Sequence, residues 1–231
     1  MNFFIGFIVS LAFGLFSYWR RSVSPSGLWG GVGIGTFLYG FAGPEGFCLL
    51  AFFFVVATVL TRLGQKRKQA MGVAQPNQGR RRAREALANC LPGLFFAYLV
   101  WRQPGILLFQ VALVSSLAES LADTTSTELG QLYGRRCVIL PACRSVPVGT
   151  RGAVSVEGTL FGVLAAFAMG ILGWILGFYP VAGSVWVALG ATIGFTGESL
   201  IGTVLTNHEA RNATGSFLGG LTGMAFFEWF S

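Results

Sequence analysis

The residues best suited to chemistry are gathered in one central stretch of the chain. It contains Asp123-Thr-Thr-Ser-Thr-Glu-Leu-Gly130, then Pro147-Val-Gly-Thr150, then Val154-Ser-Val-Glu-Gly-Thr159. These acids, hydroxyls and glycines lie between two long apolar runs, where polar groups are costly unless they have a function. The stretch therefore predicts a functional site at the edge of the apolar phase.

The carboxylates of this stretch are candidate ligands for a hard cation. Glu119 and Asp123 share a helix face, whereas Asp123 and Glu128 are about 140° apart on a continuous helix. Those two converge only if the helix ends or bends near Gly130. Oxygen ligands can hold Mg²⁺ while it bridges phosphate oxygens, and the alternative is a solvated helix end neutralised by arginines. The predicted catalytic acids are Asp123, Glu128 and Glu198, and the predicted metal ligands are Asp123, Glu128 and Glu157.

Glycines and hydroxyls around these acids are candidates for phosphate binding. Glycine lets backbone N–H groups approach an anion, and a helix that begins near Ser155 would direct its positive end towards one. The same residue types also serve as ordinary helix N-caps. The predicted nucleotide- or phosphate-binding residues are Arg80, Arg81, Arg84, Asn89, Thr124, Ser126, Gly149, Thr150, Arg151, Gly152, Ser155, Gly158 and Thr159.

The composition of the chain indicates an integral membrane protein. Of its 231 residues, 53% are hydrophobic and 11% are charged, and the mean hydropathy is +0.65. A soluble domain of this length could not bury so much apolar surface. The first apolar run lacks a basic leader and a small-residue cleavage site, so no cleavable signal peptide is expected. The expected fold class is all-α, a polytopic transmembrane helical bundle packed through glycines, with residues 1–231 as a single domain.

Eight apolar segments predict membrane spans, with a range of six to eight because several are short for a bilayer core of about 30 Å. The segments are 2–19, 27–42, 45–63, 86–101, 104–122, 157–177, 180–205 and 214–230.

The basic residues predict the orientation of the bundle. If the basic loop 62–84 is cytoplasmic, alternation places 20–26, 123–156 and 206–213 on the same side. Together these loops carry 15 of the 16 Lys and Arg residues, all except Arg102. The basic loops are therefore expected in the cytoplasm and both termini on the opposite side. Segments 62–85 and 123–156 are expected to form the active-site face.

The basic loop 62–84 has two interpretations. It is either an electrostatic anchor for anionic lipid headgroups or a segment that folds over a polyanion. Its arginines continue to Arg84 at the start of the next apolar run, and Asn89 follows about one turn later. This continuity favours a polyanion as the partner of part of the loop.

The sequence lacks the motifs of common soluble enzymes. It contains no P-loop, HExxH or GxSxG motif, and its single histidine is His208. P-loop nucleotide-binding enzymes, zinc proteases and α/β-hydrolases are therefore excluded.

The central motifs resemble those of the integral-membrane phytyl-phosphate kinase family, which is related to transmembrane protein 19. The resemblance extends over about residues 20–225. It is based on Asp123-Thr-x-x-x-Glu-x-Gly130, Pro147-Val-Gly-Thr-x-Gly-x-Val-Ser155 and Glu198-Ser-Leu-x-Gly-Thr-Val204. Family members usually carry Asp at the position of Glu198. A looser likeness, Asp123-x-x-Ser126 followed by Ser155-x-Glu-Gly-Thr159, is to the dolichol-kinase and phosphatidate-cytidylyltransferase group.

The resemblance implies an enzyme of tocopherol and prenyl-lipid biosynthesis. It would transfer a phosphoryl group from CTP to a phytyl or polyprenyl monophosphate, with Mg²⁺ as cofactor. The implied partners are the isoprenoid monophosphate, the nucleoside triphosphate and the lipid bilayer, and no nucleic acid is expected.

Two other classes of function stay open. One is an enzyme that phosphorylates the free prenol, for which Asp123 could act as the base, or that transfers CMP to a lipid phosphate. The other is an ion-coupled transporter, in which Glu119, Asp123 and Glu198 would bind ions within the membrane.

Overall fold

Eight helices and one small sheet make up the described part of the chain. The computed structural model describes residues 2–140, 142–150, 152–201, 205 and 207–230. The helices are α1 (Asn2–Trp19), α2 (Pro25–Arg62), α3 (Gln65–Ala70), α4 (Ala83–Arg102), α5 (Leu107–Tyr133), α6 (Val156–Ile175), α7 (Gly183–Ile201) and α8 (His208–Phe230). A 3-10 turn spans Pro76–Gly79, and the strands β1 (Cys137–Ile139), β2 (Arg144–Val146) and β3 (Ala153–Val154) pair antiparallel in the order β2-β1-β3.

Helix α5 is the centre of the bundle. Every residue from Val111 to Ala122 is buried, and the helix packs against α2, α4, α6, α7 and α8. Small residues along this stretch, such as Ser115 and Ala118, let the neighbouring backbones approach closely, as is typical of helix packing in membranes. The residues that follow on α5 are therefore held rigidly relative to all of these helices.

Five of the described helices are long and apolar enough to cross a membrane, namely α1, α2, α5, α6 and α7. Helices α4 and α8 carry more charge at their first turns, and they cover the predicted spans 86–101 and 214–230. The all-α polytopic fold predicted from the sequence is confirmed.

Helix α2 contains two of the predicted spans, 27–42 and 45–63. It is interrupted at Gly43, which has a φ of +72° and is followed by Pro44. In a continuous helix, residues 35 and 47 would be about 18 Å apart. A Cβ atom on Gly35 would instead lie 3.1 Å from the ring of Phe47. The two halves of α2 therefore fold back on each other as a helical hairpin.

Helix α5 continues beyond the predicted end of its span at residue 122. Residues 123–133, which were expected to be loop, remain helical because α5 crosses α6 there. A Cβ atom on Gly158 would lie 2.7 Å from the carbonyl oxygen of Ser126, so the two backbones are in close contact. Asp123 and Glu128 consequently lie on one uninterrupted helix.

The loops that alternation places on one side meet at one end of the bundle. Arg62 donates hydrogen bonds of 3.0 Å to the carbonyls of Arg20 and Arg21. At the opposite end, the rings of Phe41 and Trp101 are 5.6 Å apart. The end that carries the basic loops also carries the predicted site residues.

Candidate active site

Two polar clefts adjoin at this end of the bundle. The first lies between segment 75–81 and the facing sides of α4, α5 and α8. The second lies between α5, the loop 148–155 and the start of α6. Both clefts are lined by Gln75, Asp123, Thr127, His208 and Arg211. Ligands bound in the two clefts would therefore meet at this shared wall.

Asp123 is the predicted catalytic acid that lines both clefts. It is half-buried, and it interacts electrostatically with Arg211, His208 and Arg81. The hydroxyl of Ser126 donates a 2.9 Å hydrogen bond to the Asp123 carbonyl, so this hydroxyl is occupied within the helix. Asp123 thus presents its carboxyl group to both clefts, with the guanidinium groups of Arg211 and Arg81 nearby.

Arg81 in the first cleft is fixed through its backbone. Its carbonyl accepts from the N–H of Ser24 and its own N–H donates to the carbonyl of Ser22, both at 3.0 Å. Gly27 permits this approach, since a Cβ atom there would lie 2.1 Å from the Arg81 carbonyl oxygen. Burial lowers the pKa of the Arg81 guanidinium, and the carboxylates of Glu128 and others oppose that shift. Because guanidinium stays protonated in proteins, Arg81 provides a permanent positive charge.

Glu128 is ion-paired with Lys68, a residue that the sequence did not single out. The two side chains are each 1% exposed, and the Lys68 ammonium also donates a 2.9 Å hydrogen bond to the carbonyl of Leu60. The other carboxylate oxygen, Oε1, has no hydrogen-bond partner among the described residues, and Glu128 lines the first cleft. One oxygen of Glu128 is thus buried at the wall of the first cleft without a hydrogen-bond partner among the described residues.

Glu198, also predicted to be catalytic, lies behind Arg211. Its Oε1 accepts a 3.0 Å bond from the Arg211 Nε, and it is absent from the linings of both clefts. The buried Glu119 lies close to Glu198. A Cβ atom added to Gly215 would be 2.5 Å from an oxygen of Glu119 and 2.8 Å from an oxygen of Glu198. Glu198 therefore orients Arg211 and does not reach either cleft itself.

The structure does not bring together the three acids predicted to share a metal. Glu157 accepts a 3.4 Å hydrogen bond from the backbone N–H of Arg135, and Glu128 is paired with Lys68. Within the described ranges, no three His, Cys, Asp or Glu side chains form a cluster that could hold a metal ion. The physical reason is that α5 stays helical past Gly130, which keeps Asp123 and Glu128 on different faces.

Most of the glycines and hydroxyls predicted to bind phosphate lie around the second cleft. They are Ser126, Gly149, Thr150, Gly152, Ser155, Gly158 and Thr159. Arg151, predicted with them, lies outside the described residues. Gly149 and Gly152 have φ values of +86° and +72°, a backbone conformation that favours glycine. The loop therefore needs these two glycines in order to turn around the cleft.

Gly158, which was predicted to bind phosphate, packs closely against α5. Ser155 caps α6 by accepting a 3.1 Å hydrogen bond from the Gly158 N–H. That N–H is consequently not free for an anion, and the Cα of Gly158 is pressed against α5 at Gly130.

The remaining predicted residues divide between the first cleft and the surface. Thr124, Arg80 and Asn89 line the first cleft, and the amides of Asn89 and Asn212 meet at 2.8 Å. Arg84 is instead 59% exposed and is paired with Glu209 at 3.0 Å. It was predicted to bind phosphate, but its side chain is directed to the surface.

Five residues around the clefts were not among the predicted site residues: Lys68, Gln75, Thr127, His208 and Arg211. His208 and Arg211 are three residues apart in the first turn of α8, and that spacing places them on one helix face. This spacing was a readable signal. No sequence signal indicated Lys68, because its partner Glu128 is 60 residues away in the chain.

Comparison with known proteins shows similarity along nearly the whole chain. The family described as "Integral membrane protein DUF92" matches residues 8–224. An uncharacterised membrane protein of Synechocystis sp. is 32% identical over 208 residues, which cover 87% of this chain and 81% of that protein. An uncharacterised membrane protein of Methanocaldococcus jannaschii is 29% identical over 232 residues, 97% of this chain and 94% of that protein. No solved structure matches the chain.

A plant protein is also similar. "Protein VTE6, chloroplastic" of Arabidopsis thaliana is 35% identical over 191 residues, which cover 81% of this chain and 57% of that protein. The family match over residues 8–224 spans Asp123, Glu128 and the loop 148–155. The chain therefore belongs to the DUF92 family of integral membrane proteins, which confirms the family expected from its motifs.

Proposed function

We propose that the protein is a kinase that transfers the γ-phosphoryl group of CTP to an isoprenoid monophosphate. The observation that carries this proposal is the pair of polar clefts that share Asp123 and Arg211. A reaction between two phosphorylated molecules needs two adjoining anion-binding regions, with cations and a carboxylate where they meet. The motif resemblance to phytyl-phosphate kinases supports the choice of acceptor and donor.

The second cleft suits the nucleotide. Its wall is the loop with Gly149 and Gly152, whose side-chain-free backbone allows phosphate oxygens to approach. The 20-residue helix α6 begins at the same cleft, and the positive end of its dipole favours an anion there. The first cleft, with Arg80, Arg81 and Asn89, would then bind the phosphate of the lipid.

The chemistry requires little more than positioning and charge neutralisation. A phosphate monoester has its second pKa near 6, so at neutral pH the acceptor is mostly a dianion and needs no general base. One of its oxygens attacks the γ-phosphorus of CTP, the bond from that phosphorus to the β-bridging oxygen breaks, and CDP leaves with the electron pair. Arg81 and Arg211 reduce the repulsion between the two polyanions as they approach.

The residues at the shared wall fit a bound magnesium ion. Mg²⁺ in such enzymes is usually held by one or two carboxylates, with waters and substrate phosphates as the other ligands. Asp123 would hold it from the shared wall. Glu128, whose Oε1 lacks a partner among the described residues, contributes a second carboxylate to the first cleft. When bound, the ion neutralises charge on the β- and γ-phosphates. Lys68 keeps the second carboxylate in place, and Glu198 orients Arg211.

We also place both clefts on the cytoplasmic side. In the sequence, the loops that alternation places on this side contain 15 of the 16 Lys and Arg residues. Basic loops of this kind are retained in the cytoplasm, where nucleoside triphosphates are available.

The acceptor is tested by comparing phytyl phosphate with phytol, using purified protein, Mg²⁺ and CTP. We expect the diphosphate from phytyl phosphate, at a rate that rises with pH through the acceptor's ionisation near 6 and then becomes constant. Equal or faster phosphorylation of phytol would instead identify a prenol kinase. An Arg81→Ala variant should lose activity with phytyl phosphate, because the guanidinium no longer balances the acceptor's charge.

A further inference from the structure

An apolar groove opens directly beside the first polar cleft. It lies between α1, both halves of the α2 hairpin and the start of α4. Arg81 and Asn89 line both the groove and the cleft. The groove is otherwise walled mainly by apolar side chains such as Leu28, Ile34 and Phe54. The polar cleft and the apolar groove are therefore continuous, and they meet at Arg81 and Asn89.

We propose that this groove binds the hydrocarbon chain of the lipid phosphate, while its phosphate lies against Arg81 and Asn89. The proposal rests on the proposed function and adds the residues that select the acceptor. A molecule with an anionic head and a long apolar chain fits the cleft and the groove at once. Burying each methylene of the chain contributes about 0.8 kcal/mol, so the groove favours long chains over short ones.

The wall of the groove contains a glycine with open space beside it. Gly31 lines it, and a Cβ atom on Gly31 would have no atom within 4 Å. One turn earlier, Gly27 admits the Arg81 carbonyl. The two glycines thus place the open section of the groove next to the residue that would hold the phosphate.

Helix α1 gives the groove a side facing the bilayer. It packs chiefly against α2, and the ring of Phe13 on α1 is in contact with Phe47 and Phe54 of α2, at centroid distances of 5.8 and 5.6 Å. On its outer surface, α1 exposes apolar side chains such as Phe4, Leu15 and Phe16. A lipid chain can therefore reach the groove beside a helix that has few other neighbours.

Gly31→Leu tests the groove, and Gly33→Leu is its matched control. Both glycines are in α2 and both have no atom within 4 Å of an added Cβ, but Gly33 does not line the groove. We expect Gly31→Leu to lower kcat/KM for long-chain phytyl phosphate about tenfold, because the side chain displaces buried methylenes. Its effect on short-chain dimethylallyl phosphate should be under about twofold, and Gly33→Leu should leave both within about twofold.

The results separate this proposal from the proposed function. Suppose that the wild-type protein phosphorylates phytyl phosphate. If Gly31→Leu then slows the reaction of both acceptors equally, the groove does not hold the hydrocarbon chain. The same conclusion follows if Gly31→Leu slows the reaction of neither acceptor. Absence of transfer by the wild-type protein would overturn the kinase instead.

A binding experiment does not depend on turnover. Phytyl phosphate with a photoreactive diazirine near the end of its chain should label peptides of α1 and α2 around Phe13 and Phe54. Gly31→Leu should abolish this labelling, and Gly33→Leu should preserve it. Labelling confined to α6, α7 and α8 would contradict the proposal.

Discussion

Among single residues, Asp123 is the one on which the proposed transfer depends most, because it lines both clefts. We expect Asp123→Asn to lower kcat at least about a hundredfold, because the loss of a metal-binding carboxylate costs several kcal/mol in the transition state. Glu157→Gln is the control, since Glu157 accepts a hydrogen bond from the Arg135 N–H and lines neither cleft, and it should retain activity within about twofold. Steady-state rates of the two variants test this prediction, and their gel-filtration profiles show whether both are folded. Comparable losses in both would contradict the role given to Asp123.

The buried pair of Lys68 and Glu128 provides a second prediction. Lys68→Met leaves the Glu128 carboxylate buried without its partner, which should destabilise the protein by about 3–5 kcal/mol. The double variant Lys68→Met/Glu128→Gln removes both charges and should regain most of the thermal stability. Because Glu128 lines the first cleft, we expect the double variant to be stable but at least about tenfold less active than the wild type. Full recovery of activity would reduce Glu128 to a structural partner of Lys68.

The sequence predicted individual residues of the site better than it predicted their contacts. Asp123, Asn89 and Arg81 stood out because polar groups at the ends of apolar runs are rarely without function. The partners of Glu128 and Glu198 were not predictable in the same way. They are Lys68 and Arg211, and in both cases the pairing is made by the packing of one helix against another.

At the scale of elements, the close approach of α2 to segment 80–82 determines where Arg81 lies. Gly27→Ala would place a Cβ atom 2.1 Å from the Arg81 carbonyl oxygen, and that carbonyl is tied to the Ser24 N–H. Arg81 must then shift, so we expect about a tenfold loss of kcat/KM and a lower melting temperature. Gly33→Ala, with open space around its Cβ, should resemble the wild type. An active Gly27→Ala protein would show that the position of Arg81 is not critical.

The apolar segments predicted the helices well, including the two halves of α2. Hydropathy alone could not predict the end of α5, because residues 123–133 are polar and yet remain helical where α5 crosses α6 at Gly130 and Gly158. The small sheet was also missed. Its strands are two or three residues long, too short to show the alternation of apolar and polar residues on which strand prediction depends.

At the scale of the whole molecule, the distribution of basic residues makes a topological prediction. Single cysteines at Gln78 and Ser145, both exposed, should react only with a reagent that has access to the cytoplasm. A cysteine at the exposed Glu45, beside the turn of the α2 hairpin, should react only from the other side. The exposed native residues Cys48 and Cys143 must first be replaced. Labelling of positions 45 and 145 from the same side would overturn the orientation.

In the proposed reaction a phosphoryl group, and no other part of the nucleotide, moves to a lipid phosphate. The most direct measurement supplies CTP labelled separately in the γ-phosphate and in the base, with Mg²⁺ and phytyl phosphate, to the wild-type protein and to Asp123→Asn. We expect the lipid to gain the γ-phosphate label alone, with CDP released, and Asp123→Asn to transfer almost none. Appearance of the base label in the lipid would identify a cytidylyltransferase, and an unlabelled lipid would contradict the account.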